Sequence, residues 1–420
     1  MTLRETVDSI PEGARKSMVK FTKVFVVAAI IFYAAFRLSG IDSEVGTLYF
    51  RYAEAMASGK MPYSGFDAEY PPFAMLIIFL PRLISFSSFT YQIAFGIEAY
   101  LFLLAGVYWT YRIAERYTDK PGRIADLYIV FTVILLDFVL DRYDVFPMVM
   151  LLGSIYFFTR ERYTASWIML ALGTVTKLYP ALAAPVFLIY LLRRRRYDLA
   201  AKGVGICLVI GIACMVPFFI ADPDTALMFL TYHMDRGLQT EAPVSSVFML
   251  LGNLGLMDVS YVFNYGSDNI YGPVPDAVAK LMMPLMVILV LALYVYYAFL
   301  GKKEGAIEDC MPRLILTVFG AVMVFMLVNK VLSSQYLVWM IPFVALLILL
   351  SEKEDGRRAM YVFAASVVLT QLNLVVNYAF RDAGEEFSLL GIIILLSRNV
   401  LLFVLVYYLA KSKHLKPSAC

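Results

Sequence analysis

Apolar residues recur along this chain in long continuous runs, not in strict alternation and not as one stripe of an amphipathic helix. Runs of this kind predict helices buried on all sides or surrounded by lipid. Twelve spans are predicted, at about 18–38, 91–112, 124–140, 145–159, 164–178, 181–192, 199–220, 277–300, 313–330, 335–350, 359–378 and 388–409. Two further apolar stretches, at 72–86 and 244–257, fall short of the roughly 20 residues a bilayer needs, and Pro71, Pro72 and Pro81 flank or interrupt the first.

The charges between the runs set a topology. Basic residues cluster at Arg112/Arg116/Lys120/Arg123, Arg160/Arg162, Arg193–Arg196 with Lys202, Lys302/Lys303/Arg313, Lys353/Arg357/Arg358 and Lys411/Lys413/Lys416. All of them, and the basic N-terminal stretch, fall on the cytoplasmic side if neither short stretch crosses. Were 72–86 to cross, the next basic loops, through Arg193–Arg196, would invert. Both are therefore read as interfacial helices, in the first and fourth outer loops, and both termini are placed in the cytoplasm. The N-terminal run to Phe36 has no small-residue cleavage site and reads as a signal anchor.

Composition agrees: 61% of the 420 residues are apolar and 16% charged, against about 45–50% and about 25% in soluble domains. A soluble domain, a disordered chain and a nucleic-acid binder are excluded, and continuous runs exclude a β-barrel. The fold class is an all-α polytopic membrane protein, one transmembrane domain over residues 1–420. No pair among the four cysteines is placed for a disulfide, and none has metal-ligand spacing.

This topology puts the unusual polar residues on one side, in outer loops at about 39–90, 141–144, 221–276 and 331–334. Four patterns stand out there. Asp42-Ser43-Glu44 follows the first span; two carboxylates so spaced suit a general base or a metal clamp, and also ordinary loop solvation. Asp67-Ala68-Glu69-Tyr70-Pro71-Pro72 sets acids before a proline pair that opens a helix. Asp141-Arg142-Tyr143-Asp144 is a short charged turn. Tyr232-His233-x-x-Arg236-Gly237-x-Gln239-x-Glu241 holds one of only two histidines. Lys177 and Lys330 end apolar spans, where a cation is costly without a partner. Snorkelling and salt bridges would explain them; a site for an anionic lipid headgroup would as well. Glu98 lies within the second span and Arg398 near the middle of the last, and they are candidate partners.

At these residues the sequence resembles GT-C superfamily glycosyltransferases, notably the catalytic subunit of GPI mannosyltransferase I and the prokaryotic polyprenyl-phosphate-mannose-dependent mannosyltransferases. Asp42-x-Glu44 resembles the first-loop acidic motif, although the GPI enzyme has Asp-x-Asp. Gly59-Lys60-Met61-Pro62-Tyr63 with Glu69-Tyr70-Pro71-Pro72 resembles G-x-x-P-Y and Y-x-P-L. Asp141 to Asp144 is similar to the second acidic turn in its prokaryotic form. Lys177-Leu178-Tyr179-Pro180 resembles K-(I/L)-Y-P. Asn329-Lys330-Val331-x-Ser333-Ser334-Gln335-Tyr336-x-x-Trp339 resembles N-K-V-x-x-S-Q-Y-x-x-W, the most specific of these.

The resemblance implies an inverting transfer of a hexose, mannose first, from a polyprenyl (dolichyl) phosphate donor to a glycan or glycolipid acceptor at the outer face of a prokaryotic plasma membrane. Asp42 is then the first candidate base and Glu44 the second. Asp67, Glu69, Tyr70, Asp141, Arg142, Asp144, Lys177, Tyr179, His233, Arg236, Gln239, Lys330, Gln335 and Tyr336 are the candidate substrate-binding residues. No cofactor is fixed by the sequence, and a divalent cation stays open. The alternative is a flippase or transporter of a lipid-linked or anionic solute, which should show repeated halves; no internal repeat is visible.

Overall fold

The computed structural model describes residues 10–40, 42–234, 236–299, 311–382 and 387–411, with backbone alone at 233–234 and 378–382. The helices, in order, are α1 (Glu12–Ser39), α2 (Phe50–Ala57), α3 (Pro72–Phe79), α4 (Ser88–Ala114), α5 (Pro121–Ile134), α6 (Leu136–Asp141), α7 (Val145–Thr159), α8 (Tyr163–Thr176), α9 (Ala183–Arg193), α10 (Tyr197–Ala221), α11 (Met228–Met234), α12 (Pro243–Asn253), α13 (Pro273–Phe299), α14 (Met311–Leu327), α15 (Leu337–Leu350), α16 (Lys353–Asp382) and α17 (Leu389–Lys411). Among the described residues, α1, α4, α10, α13, α16 and α17 are each long and apolar enough to cross a membrane. Shorter apolar helices occupy the other six expected spans, and the one at 124–140 is broken at Leu135 into α5 and α6. The chain is an all-α polytopic membrane protein, as its apolar runs predict.

The chain forms two compact units. The first comprises residues 1–184, 191–229 and 338–349; the second comprises 185–190, 230–337 and 350–420.

In the first unit α7 is buried along nearly its whole length. It packs on α4 and α8, and α10 packs on α8. That last approach is close: a Cβ on Gly203 would sit 2.2 Å from the Trp167 ring, so the indole fills the space a side chain would need. Ser87 and Thr90 open α4 with a reciprocal capping box, which satisfies two of its orphan backbone donors.

Two ends of this unit can be told apart by chemistry. At one, Arg112 and Arg160 share Glu115, with contacts of 2.5 and 2.7 Å. Two of the loops expected on the cytoplasmic side thus meet. The other end gathers residues 43–46, 88, 141–144 and 177. The short stretch at 72–86 starts and finishes there: Tyr70, just before it, bonds Glu44, and Ser88, just after it, bonds the Gly46 carbonyl at 2.6 Å. A segment that leaves and returns to one end does not cross, in line with the charge argument.

The second unit packs α16 on α17, α12 on α17 and α13 on α14. Its large loop holds a three-stranded antiparallel sheet, β1 (Leu238–Gln239), β2 (Ser260–Asn264) and β3 (Ser267–Tyr271), in the order β1-β3-β2. The helix expected at 244–257 is α12; α11 and the sheet were not expected. The signal lies in Tyr261-Val262-Phe263-Asn264-Tyr265-Gly266: a β-branched and aromatic run, then a two-residue turn. Tyr265 and Gly266 both have positive φ, 50° and 66°, as a type I′ hairpin requires. Because β3 pairs with β1, the chain after α12 returns to where the loop began.

Candidate functional site

The first unit builds a charged cluster out of four motif segments. A π-helix at Val45–Tyr49 runs directly into α2, and Glu44 stands at its start. Its Oε2 lies 2.9 Å from Arg142 Nη1, and its Oε1 accepts the Tyr70 hydroxyl at 2.9 Å. Arg142 Nη1 also lies 3.1 Å from Asp141 Oδ2. Asp141 Oδ1 accepts from Ser43 Oγ at 2.5 Å and from the Val45 backbone N–H at 3.1 Å. The first loop and the second acidic turn are thus tied through carboxylates.

Burial raises the Glu44 carboxyl above its ordinary value, more than Arg142 and Tyr70 lower it; Asp141 and Glu69 add to the rise. Burial works against the Arg142 charge, but Glu44 and Asp141 outweigh it and hold the guanidinium protonated.

A second group adjoins the first. α8 ends at Thr176, and Lys177 is extended (φ −156°, ψ 139°) before a 3₁₀ turn begins at Tyr179 with Pro180. That break lets Lys177 Nζ reach Asp144 Oδ1 at 2.6 Å. The same oxygen accepts the Trp339 indole N–H at 2.6 Å. Asp144 is 1% exposed, and its Oδ2 has no hydrogen-bond partner among the described residues. Tyr179 stacks flat on Trp339, with centroids 3.9 Å apart. The Lys177 amine lies 4.8 Å from the Tyr143 ring centroid and 5.1 Å from that of Trp339. Tyr143 in turn lies 4.7 Å from Tyr70, so the two groups share a wall.

Tyr63, from the Pro-Tyr motif, has φ 72°, a region that bulky residues seldom enter. The turn is held by Tyr63 N–H to Phe66 O at 3.0 Å, and the Tyr63 hydroxyl donates to Tyr70 O at 2.6 Å. A strained tyrosine that braces Tyr70, and through it Glu44, is the sort of outlier found at sites that need fixed geometry.

The second unit has its own polar cluster. Arg236 is buried and its Nε donates to Ser267 Oγ at 3.0 Å. Lys330 Nζ donates to Arg236 O at 2.6 Å, and the Gln239 N–H to Lys330 O at 3.0 Å. Gln239 Nε2 donates to Ser333 Oγ at 2.8 Å. Arg398 is fully buried, with Nη1 at 2.9 Å from Glu241 Oε2 and Nη2 at 2.8 Å from Glu241 O; Ser334 also donates to Glu241. The partner of Arg398 is therefore Glu241, within its own unit, and not Glu98. Glu98 Oε2 is buried with no hydrogen-bond partner among the described residues.

Of the expected site residues, Glu44, Tyr70, Asp141, Arg142, Asp144, Lys177 and Tyr179 come together in the first unit, and Arg236, Gln239 and Lys330 in the second. Asp42 and Asp67 are exposed, and Glu69, Gln335 and Tyr336 are half-buried. Of His233 only the backbone is described, within α11. Among the described residues no group of three or more His, Cys, Asp or Glu side chains is placed to hold a metal ion. Sequence reasoning missed Ser43, Tyr143 and Trp339 as site members. Each sits inside a motif already noted, and only the fold shows that they touch the charged residues.

A family model described as Glycosyltransferase family 87 matches residues 69–328, more than half of the chain. The chain belongs to that family: it is a multi-pass membrane glycosyltransferase, as the resemblance to GT-C enzymes implied. Among solved structures it is similar to ArnT from Cupriavidus metallidurans, both bound to undecaprenyl phosphate (TM-score 0.47) and in the apo state (TM-score 0.46). Each is 14% identical, over 92% of this chain and 77% of that one. No curated protein gives a significant match.

Proposed function

We propose that this glycosyltransferase moves a hexose, mannose first, from a polyprenyl phosphate donor to a glycan or glycolipid acceptor at the outer face of a prokaryotic plasma membrane. The observation that carries the reading is the convergence of Glu44, Arg142, Asp141 and Tyr70 from three motif segments into one cluster, beside Lys177.

The chemistry asks for few parts. The acceptor hydroxyl oxygen attacks the anomeric carbon, the bond from that carbon to the phosphate oxygen breaks on the opposite face, and the electron pair leaves with the polyprenyl phosphate. The proton goes to a carboxylate. The departing phosphate carries its own charge and needs cations, not an acid. This differs from glycosidases, which use a second carboxyl group as acid.

Glu44 is the better-supported base of the Asp42–Glu44 pair. Burial strengthens it as a proton acceptor, Arg142 and Tyr70 fix its orientation, and Asp42 is exposed. Arg142 and Lys177 in the first unit, and Arg236 and Lys330 in the second, are the candidate phosphate cations. A divalent ion at Glu44 and Asp141 would have to compete with Arg142, which both carboxylates already face.

The test is transfer of labelled mannose from a short-chain polyprenyl phosphate mannose by purified protein onto mannose-bearing glycolipids, with and without a chelator. Glu44→Gln should lower kcat by about 10²–10⁴-fold, the usual contribution of a general base, with donor binding retained. Full activity in Glu44→Gln together with its loss in Asp42→Asn would move the base to Asp42. Transfer of another sugar only would correct the donor.

A further inference from the structure

A polar cavity of about 200 Å³ opens in the first unit where α1 ends, next to the start of α4. It is separate from the carboxylate cluster, yet shares a wall with it. Ser43 lines the cavity and donates to Asp141. We propose that this cavity is the subsite for the hexose of the acceptor: a neutral, hydroxyl-rich ring carried on a lipid. The assignment rests on the glycosyltransferase reading above and adds where the second substrate is held.

Its lining fits that chemistry. Asp42 reaches it with a carboxylate that accepts no hydrogen bond among the described residues, and one carboxylate can take two neighbouring sugar hydroxyls. Gln92 offers an amide with one weak internal bond, 3.4 Å to Ser88 Oγ. Ser88 donates to Gly46 O, which leaves its lone pairs to accept. Phe89 is 41% exposed and gives the flat apolar face against which the C–H side of a pyranose packs. Arg37 lies over that ring at 5.5 Å and steadies it.

Size and position agree. At about 200 Å³ the cavity has room for a monosaccharide ring. Leu38, beside it on α1, is 88% exposed, so a lipid-borne sugar has an apolar approach along α1. Gly46 keeps the space open: a Cβ there would lie 2.2 Å from Gln92 Nε2 and push the amide out of place. Arg37 and Asp42 both line the cavity, so their charges offset and a neutral headgroup suits it.

The test measures binding of octyl α-mannoside by saturation-transfer NMR, with the protein in lipid nanodiscs, because glycoside detergents would fill the cavity. Glycerol phosphate serves as the anionic control. Wild type should bind the mannoside and not the phosphate. Asp42→Asn and Gln92→Leu should each weaken it about tenfold, the loss of one good hydrogen bond to a charged or well-placed group. Phe89→Leu, which keeps the bulk and removes the flat ring, gives a third variant; retention of the wild-type thermal transition qualifies each. Unchanged affinity in all three, or binding of glycerol phosphate in place of the mannoside, would overturn the assignment. Release of sugar from the polyprenyl donor to water is measured in parallel. Its absence in wild type, with mannoside binding intact, would remove the donor reading and leave the subsite standing.

Discussion

Glu44 shows how neighbours tune a single carboxylate. Burial raises it and Arg142 lowers it, with burial the larger. A base works only when deprotonated, so kcat/KM should fall on the acid side of a pH profile, with a limb above the ordinary glutamate value of 4.5. Arg142→Gln removes a lowering influence, so the limb should move to higher pH; a limb that stays put or moves down would detach Arg142 from the base. Asp144 is a second case. It is almost fully buried and answered by Lys177 and Trp339. Lys177→Met leaves that charge uncompensated, which costs about 3–5 kcal/mol for a buried pair. A matching fall in the thermal transition is expected, with part of it recovered in the double variant that adds Asp144→Asn.

At the scale of elements, the motifs were legible because each contains residues that ordinary structure does not need. The cations at Lys177 and Lys330 end apolar runs, and the acids before Pro71 add nothing to a helix start. What brings them together was not legible. The π-helix at Val45–Tyr49 shifts the register after Glu44, and the extended Lys177 ends α8 within an otherwise helical pattern. Neither leaves a periodicity that differs from a plain helix and loop. The hairpin at 260–271 was readable from its Tyr-Gly turn but was hidden by the apolar runs on either side. Arg398 stood out as an intramembrane cation; its true partner, Glu241, lies 157 positions away in a loop with several acids. Arg398 ties that loop to α17 through Glu241, and Asn399 adds a bond to Ser246. Arg398→Met should therefore strand Glu241 and lower both stability and transfer. Glu241→Gln, which keeps an acceptor for the guanidinium, should do less. Equal loss in the two would point to the charge of Glu241 and not to the anchoring.

For the whole molecule, charge counting supplied what hydropathy could not. Among the described residues six helices are long enough to cross by themselves, and many of the remainder are short or broken. The basic loops nonetheless assign ends, and the first unit gathers Arg112 and Arg160 at one end and Glu44 and Arg142 at the other. The topology predicts opposite labelling of Lys60→Cys and Arg195→Cys, both at exposed positions, in a chain whose four native cysteines are replaced. An impermeant maleimide added to intact cells should reach the first and not the second. Reversal of that pattern would turn the chain over and move the site to the cytoplasm.

Trp339 gives the cluster a built-in optical probe. The chain has three tryptophans. Trp109 packs beside Tyr156 and Phe157 near the basic end, and Trp167 is sealed against Gly203. Trp339 bonds a carboxylate and sits beside Lys177. Pulling Lys177 away from Asp144 would alter the field on that indole alone. On the proposed reading its fluorescence should change as a polyprenyl phosphate donor is titrated in, in unlabelled protein and before any sugar has moved.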